Sequence, residues 1–204
     1  MWAAVCAGAG YLAGSMPFGY WLVHVFKRAD IRKVGSGNIG ASNVWRTYGR
    51  RLGLTVMALD VVKGFVPAFL ATLYVGHLAG VLAGVAAMLG HWRPLFLEFQ
   101  RGGKMVATCG GAFLGVAPVV GGIGSGVWIA CFLLFRYASL SSIVGALSLP
   151  LIAALLGESW PVIAFAGIAA AGIVFLHRAN IARLRAGTES RFSFRRRRSQ
   201  PAGA

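Results

Sequence analysis

Long apolar runs alternate with short basic segments along the chain. Met1 to Phe26 is almost wholly apolar and ends in Lys27-Arg28; a polar stretch, Arg28 to Arg51, follows. Leu52 to Tyr74 is apolar apart from Asp60 and Lys63, and Gly76-His77 makes a short break. Leu78 to Leu89 is apolar and leads into a second polar segment, Gly90 to Lys104. Met105 to Phe135 carries no charge, is too long for one crossing, and is interrupted at Gly115-Val116-Ala117-Pro118 and at Gly121-Gly122. Arg136 closes it; Leu140 to Leu156 and Trp160 to Leu176 are apolar, with Gly157-Glu158-Ser159 between them and a basic tail from His177 onward. Runs of this length and polarity predict membrane-spanning helices at ~17–25 residues per crossing. Leu78 to Leu89 and Met105 to Leu114 are short for that purpose. Either those helices extend into segment 90–104, or the segment dips into the membrane under protein cover.

The charges orient this string. Lys and Arg gather at 27–51, 93–104, Arg136 and 178–198, with Lys63 alone deep inside a run; the intervening breaks at 74–79, 115–123 and 157–160 have none. Basic loops stay in the cytoplasm. The expected architecture is therefore an all-α, compact bundle of seven transmembrane helices, six being the alternative count. Its N-terminus is outside and its C-terminus cytoplasmic. The first run has no basic stretch ahead of it and no small-residue cleavage site, so it reads as a retained first helix.

Composition agrees. Only 12% of the 204 residues are charged and 57% are hydrophobic, with mean hydropathy +0.71, against about 25% charged in soluble domains. The net charge of +15 would suggest nucleic acid in a soluble protein. Here the cations flank apolar runs, which points to orientation and anionic headgroups. Cys6, Cys109 and Cys131 all lie in apolar runs without metal-ligand spacing and read as buried thiols. One domain is expected over 1–190, followed by a basic, disordered tail over 191–204 that holds Arg195 to Arg198.

Three polar clusters could carry chemistry. The first is Gly35-Ser36-Gly37-Asn38-Ile39-Gly40-Ala41-Ser42-Asn43-Val44-Trp45-Arg46. Glycines allow close backbone approach, and Arg46 offers a bidentate fork for phosphate. A helix starting near Ala41 would add free N–H groups. A flexible Gly/Ser loop explains the same residues equally well. The second cluster is Gly90-His91, Pro94, Arg101-Gly102-Gly103-Lys104 and Ala107-Thr108. It resembles the end of a phosphate-cradling loop but is not a Walker motif; the alternative is an interfacial lysine with hinge glycines. The third cluster runs from His177-Arg178-Ala179-Asn180 through Arg183-Leu184 to Gly187-Thr188-Glu189, with His177, Asn180 and Leu184 on one helical face. His177 could act as a general base or be an ordinary interfacial residue. His24 and His77 suggest no role. Asp60 and Lys63, spaced i, i+3, are either a structural ion pair or a pair facing the site.

These residues resemble a known family, the PlsY-type bacterial acyl-phosphate:glycerol-3-phosphate acyltransferases. The resemblance spans nearly the whole chain. It rests on Gly35 to Arg46, on Gly90-His91…Pro94…Gly102-Gly103-Lys104…Val106-Ala107-Thr108, and on His177-x-x-Asn180-Ile181-x-Arg183-Leu184-x-x-Gly187-x-Glu189. Asp60-x-x-Lys63-Gly64 and Arg136-Tyr137-x-Ser139-Leu140-x-Ser142-Ile143 are also similar. The resemblance implies transfer of a fatty acyl group from acyl phosphate to the 1-position of sn-glycerol 3-phosphate, the first acylation of bacterial phospholipid synthesis. The products would be lysophosphatidate and phosphate. It implies no metal and no organic cofactor, membrane lipids but no nucleic acid as partners, a monomer, and an active site on the cytoplasmic face of the inner membrane.

By motif position, Ser36, Arg46, Lys104, His177 and Asn180 would be catalytic. Ser36, Asn38, Arg46 and Lys104 would bind phosphate, and His177 and Asn180 would position the glycerol hydroxyls. Gly35, Gly37, Gly40, Ser42, Asn43, His91, Gly102, Gly103, Thr108, Ser139, Ser142, Arg183 and Glu189 would also line the substrates. An acyl phosphate is already activated, so no Ser-His-Asp triad is needed. The base is either His177 or the acyl phosphate's own oxygens, the second being preferred. The chain departs from the family in having Ser42 for Thr, Met105 for Gly, and one extra residue between Pro94 and Gly102. The rivals, an anion transporter and a nucleic-acid binder using the tail, lack respectively a repeat with midplane polar groups and interleaved aromatics.

Overall fold

The computed structural model describes residues 1–192. The helices are α1 (Trp2–Gly14), α2 (Phe18–Lys27), α3 (Ala41–Tyr48), α4 (Arg50–Tyr74), α5 (His77–Trp92), α6 (Val106–Val116), α7 (Pro118–Phe135), α8 (Ala138–Leu155), α9 (Trp160–Leu176) and α10 (Arg178–Arg185), with 3-10 turns at Ile31–Lys33 and Leu95–Leu97. No strand occurs among the described residues, as the all-α expectation requires. Among the described residues, four stretches are long and apolar enough to cross a membrane: Arg50–Tyr74, His77–Leu97, Pro118–Phe135 and Ala138–Leu155. A fifth is added if α9 and α10, bent by 60° at His177, count as one broken span. Leu73, Leu134, Leu155 and Trp160 are each more than half exposed on the outer surface, an apolar surface suited to lipid.

Helix ends follow local chemistry. The first apolar run does not form one helix: it breaks between Gly14 and Phe18, because Pro17 has no N–H and disfavours helical backbone at Met16. α5 continues three residues past Leu89 into the polar segment, which lengthens the short run the sequence shows. The break in the long uncharged run falls at Ala117, with Pro118 opening α7; Gly121 and Gly122 remain inside the helix. The tail expected from 191 begins inside packed structure. Phe192 is buried and its N–H donates to Arg136 O at 2.8 Å. The rest of that tail, Arg195 to Arg198 included, lies outside the described residues.

Small residues let the helices approach closely, the usual solution in lipid. Gly10 and Gly14 of α1 rest against the backbone of Ala83 and Ala87 of α5, and a Cβ at either would overlap that backbone. Gly64 of α4 meets Thr108, and Gly111 of α6 meets Val61, in the same way.

The Asp60–Lys63 ion pair has a place in this packing. Lys63 Nζ is 2.7 Å from Asp60 Oδ1, both side chains being buried. It also donates to Met16 O at 2.8 Å. The lysine thus gives a second donor to a carbonyl at the α1–α2 break, which also accepts from Phe18 N at 3.1 Å. Lys63→Met should destabilise the protein by about 3 kcal/mol, since it leaves a buried carboxylate unpaired. Thermal unfolding in detergent checks this, with Asp60→Asn/Lys63→Met expected to recover part of the loss. A single variant as stable as the wild type would remove the structural role.

Candidate functional site

One cavity of about 940 Å³ lies between α3, α4, α6, α7, α8 and the α9–α10 junction, and it gathers residues from all three polar clusters. At its polar end are Ser36, Asn38, Ser42, Arg46, Lys104, Ser139, His177, Asn180, Arg183 and Glu189, with Gly35, Gly40, Asn43, His91 and Ser142 also on the wall. Beyond them the lining turns apolar, with Val61, Phe113, Trp128, Ile129 and Leu149.

The first loop is held by its own side chains. Asn43, buried on α3, accepts from Ser36 N at 3.0 Å and donates to Val34 O at 3.0 Å and Asn38 O at 2.9 Å. Asn38 accepts from Gly40 N at 2.8 Å and donates to Gly102 O at 3.3 Å, joining the first cluster to the second. Gly35 and Gly37 have φ of +63° and +68°, backbone that favours glycine. The flexible-loop alternative therefore fails for Gly35 to Arg46. α3 begins at Ala41 on the cavity wall, where a first helical turn leaves N–H groups unpaired.

The second loop corrects the sequence reading. The N–H groups of Gly102 and Gly103, offered there as phosphate donors, are already taken by Trp92 O at 2.8 Å and His91 O at 2.9 Å. These glycines serve close packing: a Cβ on Gly103 would overlap the His91 ring. Gly37, Gly102, Gly103 and Thr108 do not reach the cavity wall. Thr108 packs in the α4–α6 contact, and Gly37 is a turn residue whose N–H donates to Val34 O. Met105 follows in the left-handed region at φ +67°, backbone that suits the glycine of the family better than Met. Ser142 reaches the wall, but its hydroxyl donates to Ala138 O at 2.6 Å and accepts from Trp128 Nε1 at 3.2 Å.

Glu189 is the hub of the polar end. Its Oε1 accepts from Ser139 Oγ at 2.6 Å and Asn180 Nδ2 at 2.7 Å, and its Oε2 accepts from Arg183 Nε at 2.7 Å. Burial alone would raise this carboxyl. The hydrogen bonds from Ser139, Asn180 and Arg183, with the Arg183 charge, hold it below the usual carboxylate value. Asn180 Oδ1 in turn accepts from Lys104 Nζ. Burial brings the Lys104 ammonium down to about 8, opposed by Glu189 and reinforced by Arg183, Arg101 and Arg46. Arg46 donates from Nη2 to Ser190 O at 2.9 Å and stacks on Phe192, its guanidinium 4.3 Å from the ring centre, which leaves the rest of its fork for a ligand. His177 Nδ1 is 2.8 Å from Ile173 O. A carbonyl only accepts, so Nδ1 carries the proton and Nε2 of the neutral ring is free to accept.

The sequence reading left out the aromatic clamp. Phe192 packs edge-on against Trp45 at 5.4 Å and Phe132 at 5.2 Å, closing the segment after Glu189 over α3 and α7. Its signal was weak, one of two Phe residues in an arginine-rich stretch. Asp60 also reaches the cavity, 3.6 Å from His91 Nδ1, so the pair with Lys63 is both structural and at the wall.

Fold and cavity define a helical membrane protein that gathers cations at one end of an apolar groove, a layout for anionic amphiphiles. The family model for glycerol-3-phosphate acyltransferase matches residues 4–187. The glycerol-3-phosphate acyltransferase of Desulforudis audaxviator is 46% identical over 93% of this chain and 95% of its own, and that of Desulforamulus reducens 44% over 88% and 90%. A crystal structure of PlsY (YgiH), an integral membrane glycerol 3-phosphate acyltransferase, in its glycerol 3-phosphate form superposes with TM-score 0.89 at 40% identity, covering 94% of this chain and 96% of that one. Its lysophosphatidic acid form gives 0.85 at 38% identity over 94% and 95%. The chain belongs to the glycerol-3-phosphate acyltransferase family.

Proposed function

We propose that the protein transfers a fatty acyl group from acyl phosphate to the sn-1 hydroxyl of glycerol 3-phosphate, giving lysophosphatidate and phosphate. The observation that carries this reading is the single cavity with a cationic end and an apolar arm. Both substrates bring a phosphate, and one brings a chain. The related structures in glycerol 3-phosphate and lysophosphatidic acid forms support the acceptor and the product. The unit is one domain, 1–190 with the packed segment that ends at Phe192, that crosses the bacterial inner membrane seven times as a monomer, with its site on the cytoplasmic face.

In this reading Ser36, Asn38, Arg46 and Lys104 hold phosphate groups. Asn180, fixed by Glu189, and His177 orient the glycerol hydroxyls. The sn-1 oxygen bonds to the acyl carbonyl carbon, the bond from that carbon to the phosphate oxygen breaks, and phosphate departs with the electron pair. The sn-1 hydroxyl proton passes to a phosphate oxygen of the donor, while His177 Nε2 accepts a hydrogen bond from the glycerol's other hydroxyl and so fixes the orientation of the acceptor. No cofactor takes part.

Purified protein with palmitoyl phosphate and sn-glycerol 3-phosphate should release phosphate and lysophosphatidate in equal amounts. Ser36→Ala and Arg46→Ala should each lose about a hundredfold or more in kcat/KM, as expected when a donor to developing charge is removed. Absence of turnover by folded wild type would overturn the donor. His177→Gln should keep residual turnover with an unchanged pH profile; loss of the acidic limb would make His177 the base.

A further inference from the structure

The apolar arm is lined at one point by a glycine that helix packing does not explain. Four glycines line it: Gly110 on α6, Gly121 and Gly124 on α7, and Gly145 on α8. Three are explained by their neighbours. A Cβ at Gly121 would lie 2.6 Å from Leu114 N, one at Gly124 2.6 Å from Leu149 Cδ2, and one at Gly145 3.3 Å from Trp128 Cβ. A Cβ at Gly110 would meet only Ser125 Oγ, at 4.0 Å across the arm. Gly110 therefore carries the helix-weakening cost of a mid-helix glycine, about 1 kcal/mol relative to alanine, with no close helix against it. The other mid-helix glycines at which a Cβ would meet nothing, Gly8, Gly122, Gly126 and Gly167, are on exposed outer faces of α1, α7 and α9.

The position matters as much as the space. Five residues beyond Met105, Gly110 stands about 7.5 Å further along α6 than the Lys104 loop. The arm continues past it to Phe113 and Leu114. A side chain at 110 would divide the arm into a near part beside the polar end and a far part beyond.

We propose that Gly110, facing Ser125, sets the acyl chain length the site accepts, its missing side chain being the passage for the far part of a long chain. This rests on the acyl-phosphate reading above. Gly110→Leu fills the passage from α6 and Ser125→Leu from α7, so the two variants test one gap from opposite walls. Gly122→Leu adds the same side chain to the outer face and serves as the control.

The test compares kcat/KM for octanoyl and hexadecanoyl phosphate on the same preparation, so that any loss of folded protein cancels in the ratio. The ratio of long to short should fall about tenfold in both Gly110→Leu and Ser125→Leu, that is by about 1.4 kcal/mol, with the KM for glycerol 3-phosphate unchanged. Gly122→Leu should keep the wild-type ratio. An unchanged ratio in the two arm variants, or an equal shift in Gly122→Leu, overturns the gauge while leaving the donor reading intact. Wild type that turns over neither acyl phosphate overturns both. Should Gly110→Leu not fold, Ser125→Leu alone decides by the same criterion.

Discussion

Glu189→Ala should lower turnover by at least about a hundredfold and destabilise the protein by about 2–4 kcal/mol, the cost of leaving two buried hydrogen-bond donors without an acceptor. The carboxylate joins its own segment to two helices, through Ser139 at the start of α8 and through Asn180 and Arg183 on α10. Removing it leaves buried Ser139 and Asn180 without an acceptor, while Arg183, 44% exposed, can turn to water. The effect reaches the chemistry through Asn180, whose Nδ2 is held by Glu189 and whose Oδ1 receives Lys104. Glu189→Gln separates the two effects. The amide keeps the shape and one acceptor oxygen, so stability should largely return, while Arg183 loses its ionic partner and turnover stays depressed. Thermal unfolding and kcat, measured on the same samples, would decide. A Glu189→Ala protein with wild-type kcat would reduce the hub to scaffolding.

The parts legible in the sequence were those where polarity stands out against an apolar background. The three polar clusters stood out this way, the family resemblance marked Ser36, Arg46, Lys104, His177 and Asn180 within them, and the structure brings all five to one cavity. Connectivity was not legible. Ser139 and Glu189 are 50 positions apart yet share a hydrogen bond, and spacing along the chain holds no information on that pairing. Nor could the sequence tell a glycine that frees its N–H for a ligand from one that lets two backbones touch. Gly102 and Gly103 proved to be the second kind, because the carbonyls ending α5 take their amides. Helix breaks were half legible. Pro118 marks a helix start as expected, whereas Pro17 lies inside an unbroken apolar run, where hydropathy alone continues the helix. The apolar arm was invisible for a similar reason: glycine and alanine line the groove, the helix contacts and the outer face alike.

Lys104→Ala should lower kcat/KM by about a thousandfold, the upper range for loss of one positioned donor to developing charge. Among the cations on the cavity wall, Arg183 is tied to Glu189 and Arg101 is exposed to solvent, so Lys104 and Arg46 carry most of the attraction for phosphate. The same lysine should set the alkaline limit of the enzyme. Burial brings its ammonium down to about 8, so the cation is present below that pH and is lost as pH rises through it. Glycerol 3-phosphate becomes the dianion above about pH 6. The free-enzyme profile, kcat/KM, should therefore be highest between these limits and fall about tenfold per unit on the alkaline side. Bound phosphate favours the charged lysine, so kcat itself should hold to higher pH. Lys104→Arg supplies the discriminating control. A guanidinium does not deprotonate in this range, so the variant, though slower because its fork does not match the Asn180 geometry, should lose the alkaline limb. An alkaline limb that survives in Lys104→Arg would assign it to another group and remove Lys104 as the titrating cation.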